Sequence, residues 1–125
     1  MPRKRLVVEM GMGVDLRGQD YTKAAVRALR DALWHNSLTV VPALGYSVDE
    51  MLVDIEIAVA QPHLVDKKKV TDVLPYGRAS ITVVKGGLDV KEGDSHTVVA
   101  NAAAVVYLDV PVAGKNDAGT NNGDQ

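Results

Sequence analysis

The stretch from Met51 to Ala60 alternates strictly between apolar and mixed side chains, and it restricts the fold more than any other. Every second residue from Met51 is apolar, whereas the intervening positions include Asp54 and Glu56. Because side chains alternate across a β-strand, one face of this strand must lie on a core. The other face, with the two carboxylates, is either partly solvated or in contact with another subunit.

One amphipathic helix is predicted to cover the buried face of the sheet. From Tyr21 to about His35 the apolar residues recur at helical spacing, and Lys23 and Arg27 lie on the opposite side. Asp20 is a good N-cap, and Asn36 can end the helix in a left-handed conformation.

Three further stretches have the composition of strands, and one has that of a short helix. The last strand is nearly all apolar, which predicts burial on both faces. The strands are Leu6–Met10, Ala79–Val84 and Thr97–Val110; the short helix is Asp66–Leu74, and Gly86-Gly87 suggests a bulge or hairpin. The order β-α-β-(α)-β-β predicts an α+β fold, with a four-stranded mixed sheet packed on one main helix.

The residues 1–112 are predicted to form a single domain. The tail 113–125 is polar and glycine-rich, and we expect it to be disordered. The 125-residue chain is 46% hydrophobic but has no Phe and only one Trp, so its core must be aliphatic. Since a small chain buries a modest fraction of its surface, we expect a homo-oligomer, a trimer or a multiple of it.

The composition also argues against several classes of function. A formal net charge of −2 gives no electrostatic reason to expect nucleic-acid binding. The chain has no cysteine, which excludes disulfides and fits a cytoplasmic protein. The three histidines lack metal-ligand spacing and no apolar run approaches the length of a membrane span, so we expect no metal, no other cofactor and no membrane.

Polar residues are concentrated between Gly11 and Lys23, where a strand leads into the helix. Glycines and a helix N-terminus are the parts of an anion site, but neither the dinucleotide fingerprint nor a P-loop is present. One interpretation is a turn capped by Asp20 beside a solvated helix face. The other is a pocket for a small anionic or carbonyl-bearing ligand.

The pocket interpretation assigns candidate roles to seven residues. Carboxylates and a lysine could move protons or hold an oxyanion, and an arginine or amide could hold the substrate. The catalytic candidates are Asp15, Asp20, Lys23 and Glu9; the substrate-binding candidates are Arg17, Gln19 and Arg27.

The segment GMGVDLRGQDYTKAAVRALRDALWHNSL resembles the signature of the Lin-type conserved hypothetical proteins, small bacterial proteins of unknown function. MLVDIEIAVAQP, PYGRASITVVKGGLDV and VVANAAAVVYLDV also look like that family, whose pattern is expected to have His where this chain has Arg17. The architecture more distantly resembles single units of chorismate-mutase-like and YjgF-like trimers and of ring-opening amidohydrolases that cleave cyanuric acid or barbiturate. This resemblance implies a ligand site between neighbouring subunits or repeats.

Three classes of function stay open at this level. The first is a small cytoplasmic enzyme that acts on a polar or anionic metabolite, such as a cyclic amide, at a subunit interface. The second is a non-catalytic module that binds a small ligand or a protein partner, and the third is a purely structural oligomer. The geometry of the pocket separates the first two, because converging charges at one point favour catalysis and a shallow apolar groove favours a partner.

Overall fold

Strands dominate the architecture, with one long helix among them. The computed structural model describes residues 3–34, 40–75 and 77–110. In chain order the elements are β1 (Arg3–Asp15), α1 (Tyr21–Trp34), α2 (Val40–Ala43), β2 (Leu52–Val59), α3 (Lys67–Thr71), β3 (Arg78–Lys85), β4 (Leu88–Glu92) and β5 (Ser95–Asp109). None of the described helices has the length and apolar character needed to cross a membrane.

The strands form one mixed sheet built around β5. Strand β1 runs antiparallel along one side of β5. Along the other side, β2 and β4 follow one another, both antiparallel to β5. Strand β3 extends the sheet beyond β2 in the parallel direction, which gives the order β1-β5-β2-β3 with β4 beside β5.

The helix α1 lies very close to β1 because neither surface carries large side chains where they meet. A Cβ atom on Gly11 would lie 2.3 Å from the backbone nitrogen of Ala32, and one on Gly13 would lie 2.3 Å from the carbonyl oxygen of Ala24. The neighbouring strand β5 presents alanines to the same helix. The buried alanines of the two elements are Ala24, Ala25, Ala28 and Ala32 on α1 and Ala100, Ala102 and Ala104 on β5.

Larger aliphatic side chains fill the rest of the core. Leu29 of α1 is fully buried, as are Ile57 of β2 and Leu108 of β5. Strand β2 alternates as its sequence predicts, because Val53, Ile55, Ile57 and Val59 are buried and the positions between them are not. The core therefore lies between α1 and one face of the sheet.

Gly86 and Gly87 carry the chain from β3 past the end of β2 to β4. The N–H of Gly86 donates to the carbonyl of Val59 at 2.9 Å. Gly87 has a φ of +62°, and a Cβ there would lie 2.2 Å from the carbonyl oxygen of Val99. Since β4 pairs with β5, these glycines form a close crossing and not a hairpin between β3 and β4.

The α+β fold with one main helix on a mixed sheet is confirmed, and α1 begins at Tyr21 as predicted. The strand number is wrong, because β4 adds a fifth strand whose residues are all exposed. Strand β1 continues through Gly11 and Gly13 to Asp15, and β5 has one buried face instead of two. The expected cap at Asn36 and the tail 113–125 lie outside the described residues.

Candidate functional site

A buried carboxylate organises the connection between β1 and α1, which we call the junction loop (residues 16–20). Asp15 is 5% exposed, and its Oδ2 accepts the N–H of Asp20 at 3.0 Å. The side chain of Asp20 in turn accepts the N–H of Lys23 at 2.9 Å, which is the predicted helix cap. The loop therefore folds back around the Asp15 carboxylate.

Arg27 and Asp31 attach α1 to the outer edge of β1. The guanidinium of Arg27 donates to the carbonyl of Val14 at 2.6 Å and lies 3.6 Å from Oδ1 of Asp15. The carboxylate of Asp31 accepts the N–H of Met12 at 3.0 Å. Both side chains thus satisfy backbone groups that an edge strand leaves unpaired, which gives Arg27 a structural role.

The junction loop also reaches β5. Gln19 has a φ of 49°, which is the left-handed region, and its side-chain amide hydrogen-bonds Nδ1 of His96. The hydroxyl of Thr97 donates to the carbonyl of Leu16 at 3.2 Å. A non-glycine residue in this conformation is uncommon and often marks a functional site.

A buried tyrosine connects the start of α1 to β4. Tyr21 is 3% exposed; its hydroxyl donates to the Asp89 carboxylate and accepts from the Gln61 amide at 2.8 Å. Burial raises the pKa of the Tyr21 hydroxyl above its ordinary value of 10.0, and the Asp89 carboxylate raises it further. The sequence did not predict this network, because Tyr21, Gln61 and Asp89 lie far apart in the chain.

The surface of the sheet that faces away from α1 is not covered by any described part of the chain. We call this surface the open face; it is formed by the side chains of the strands that point away from α1. Met10 is 73% exposed and Met12 57%, on β1, and Leu88 is 61% exposed on β4. Val84 on β3 and Val90 on β4 are also exposed on the open face.

A shallow groove of about 240 Å³ lies in the middle of the open face. Its walls are mostly apolar, with a carboxylate and an amide among them. The lining residues are Met10, Gly11, Glu56, Ala58, Asn101, Ala102 and Ala103. The groove is wide open to solvent and does not enclose a ligand on several sides.

Comparison with known protein families and solved structures shows which family this chain is in. Residues 5–106 match the conserved hypothetical protein family Lin0512_fam. The chain belongs to this family. It is also similar to a solved structure, a FtsZ-like protein of unknown function from Nostoc punctiforme, with 39% sequence identity and a TM-score of 0.80. That match covers 88% of this chain and 99% of the other.

Two other comparisons add nothing to this assignment. An uncharacterized protein from Pseudomonas aeruginosa matches at 13% identity over 82% of this chain and 98% of the other, but its TM-score is 0.30. No curated protein matches the chain. The Lin0512_fam match includes the whole junction loop and most of the open face.

Six of the seven candidate residues lie at the same end of the sheet. The junction loop contains Asp20 and Gln19, and the Gln19 side chain hydrogen-bonds His96. Asp15 directly precedes the loop and accepts the N–H of Asp20, and Arg27 of α1 lies beside Asp15. The side chains of Arg17 and Lys23 are exposed. Their catalytic and substrate-binding roles stay predictions.

Glu9 lies apart from the other candidates. It is paired with Ala104 in the middle of β1, on the side of the sheet that α1 covers. Asp15 lies six positions further along β1, about 20 Å away. A single pocket at the junction loop therefore does not include Glu9.

Proposed function

We propose that this chain is a non-catalytic interaction module, and that the open face is the surface through which it works. The observation that carries the proposal is a group of large apolar side chains, Met10, Met12 and Leu88, exposed together on one flat surface. Contiguous apolar patches on a folded domain mark sites of interaction with other molecules.

The junction loop supports catalysis less well. Asp15 and Arg27 each have partners within the protein, and Asp20 caps α1. A general base needs a free hydrogen-bonding position toward its substrate. The most strongly polar end of the domain is thus explained in large part by the need to hold α1 on β1.

Methionine oxidation tests whether the open face is covered when the protein is in its natural surroundings. Hydrogen peroxide oxidises exposed methionine sulfurs much faster than buried ones. In an unfractionated extract of cells that make the protein, we expect Met10 and Met12 to oxidise about as slowly as Met51, which is 2% exposed. Mass spectrometry of the digested protein gives the three rates in one sample.

Two leucine variants provide a matched comparison. Leu88, on the open face, is 61% exposed, and Leu64, which lies elsewhere, is 50% exposed. Leu88→Glu therefore places a charge on the open face, and Leu64→Glu places one at a similarly exposed control position. We expect only Leu88→Glu to increase oxidation of Met10 and Met12. Wild-type protein in which both methionines react at the rate of denatured chain, while Met51 is protected, would contradict the proposal.

A small-molecule enzyme is the second candidate, and Gln19 is the observation that favours it. Its left-handed backbone and its contact with His96 lie beside exposed Arg17 and Lys23, so an anionic metabolite could bind there. In a thermal-shift screen of small carboxylates and cyclic amides, a ligand that stabilises wild type and fails to stabilise Lys23→Ala would support this candidate. No shift with any compound would count against it.

A further inference from the structure

The strand register divides the open face into two chemically different ends. Arg5 of β1, Tyr107 of β5, Leu52 of β2 and Arg78 of β3 form one row across the sheet, because each is paired with the next. Paired residues point to the same side of a sheet. The row therefore places an arginine at each edge of the face, with an aromatic and a leucine side chain between them.

Carboxylates lie next to this row of arginines. Asp54 and Glu56 follow Leu52 along β2 on the same face, about 7 and 13 Å away. Asp54 lies 3.7 Å from the guanidinium of Arg3, which also lies over the ring of Tyr107 at 5.2 Å. Glu56 lines the groove and is exposed.

The apolar end begins beyond Glu56. The next row on this face after that of Glu56 contains Met12 on β1, Ala58 on β2 and Val84 on β3. Leu88 and Val90 continue the face on β4. The open face thus carries both signs of charge at one end and exposed apolar groups at the other. Nucleic acid would be repelled by Asp54 and Glu56, and a basic peptide by the arginines.

The size of the face is that of a protein–protein contact. From the row of Arg5 to that of Val90 it extends about 33 Å along the strands and about 14 Å across them, a flat area of roughly 450 Å² before the relief of the side chains is counted. Stable contacts bury about 800 Å² of accessible surface on each partner. One flat sheet face of a second molecule of this size would fill it.

The undescribed end of the chain has the wrong composition for this surface. Residues 111–125 are PVAGKNDAGTNNGDQ, which contain one valine and no larger apolar side chain. A second copy of the chain offers a face with the same apolar groups and the same near-balance of arginines and carboxylates. Such self-complementarity is what a two-fold contact requires.

We infer that the occupant of the open face is a second copy of this chain, packed face to face, with arginines of each copy attracted by the carboxylates of the other. The inference rests on the proposed function of the open face. A two-fold contact produces an even number of copies, which differs from the trimer that the sequence predicts.

Sedimentation equilibrium of the purified full chain tests this inference. We expect wild type to be a dimer, or a multiple of one, at about 100 μM. Glu56→Arg removes one of the two carboxylates of β2 from the face and adds an arginine, so it should weaken association at least tenfold, as should Leu88→Glu. The double variant Glu56→Arg/Arg78→Glu restores the original numbers of arginines and carboxylates on the face and should recover to within about threefold of wild type.

Arg30→Glu, an exposed change on α1 and away from the face, should leave association unchanged. A wild-type monomer, an odd number of copies, or Leu88→Glu and Glu56→Arg variants that associate like wild type would overturn the inference. The proposed function fails separately, since it requires protection of Met10 and Met12 in the extract. If the pure chain is monomeric but Met10 and Met12 are protected in the extract, the inference of a second copy fails, and the proposed function stands with a different partner.

Discussion

Replacing Gly11 or Gly13 with alanine tests whether α1 is seated directly on β1. A Cβ on Gly11 would meet the Ala32 nitrogen at 2.3 Å and the Ala28 oxygen at 2.4 Å, whereas ordinary contact begins at 3.4 Å. The helix would have to move by about 1 Å in a close-packed core. Because both opposing groups are helix backbone and cannot change rotamer, we expect about 3 kcal/mol of destabilisation, the upper end for overpacking.

The double variant gives a second, independent expectation. Gly13→Ala meets the same helix at 2.3 Å from the Ala28 nitrogen, so both changes displace α1 in the same direction. Once the helix has moved for one methyl group, the second costs less, and the pair should cost about 4 kcal/mol instead of the sum. Such a loss is a large part of the stability of an ordinary domain.

Urea denaturation followed by circular dichroism measures these costs from the midpoint Cm and the slope. Gly93→Ala is the matched control, because Gly93 has a φ of +60° and no atom within 4 Å of the added Cβ. It should cost about 1 kcal/mol for the backbone conformation alone. Single variants at Gly11 and Gly13 that cost no more than this control would refute the close seating of the helix.

Three further predictions concern the junction loop and its neighbours. Burial and Asp89 raise the pKa of Tyr21, so above pH 10.0 the folded state keeps a proton that the unfolded state loses, and the free energy of unfolding should fall as the pH rises. In urea denaturation from pH 8 to 11, the free energy of unfolding of the Tyr21→Phe variant should fall less steeply than that of wild type. Asp15→Ala removes the acceptor of the Asp20 N–H and should cost about 2 kcal/mol, measured by the same denaturation; a cost under about 0.5 kcal/mol would show that the loop does not depend on it. Arg27→Ala should cost about 1 kcal/mol because Val14 loses its donor, whereas Lys23→Ala should stay within about 0.5 kcal/mol, and equal effects would contradict the structural role of Arg27.

The sequence predicted the elements whose patterns arise from local structure. The apolar spacing of α1, its cap at Asp20 and the alternation of β2 each depend on residues close together in the chain. For that reason the α+β fold with one main helix could be predicted without any knowledge of pairing. The resemblance to the Lin-type family also came from contiguous segments.

The remaining features depend on contacts between distant parts of the chain. Gly11 and Gly13 suggest a loop in sequence, but they are strand residues because the α1 backbone lies against them. In β5, Ala100, Ala102 and Ala104 are buried against α1, and only the packing of the helix on the sheet determines which face of the strand is covered. Strand β4 exists because β5 offers it a free edge, and the alternation over its five residues is too short to predict that pairing.

Photo-crosslinking in living cells tests most directly whether the open face is an interaction surface. A photoreactive amino acid replaces Met12 on the open face in one strain and Arg30 on α1 in another, and both positions are exposed in the isolated chain. If the open face is an interaction surface, irradiation should give a discrete adduct from position 12 and none from position 30. No adduct from position 12, or equal adducts from both positions, would contradict this role of the open face.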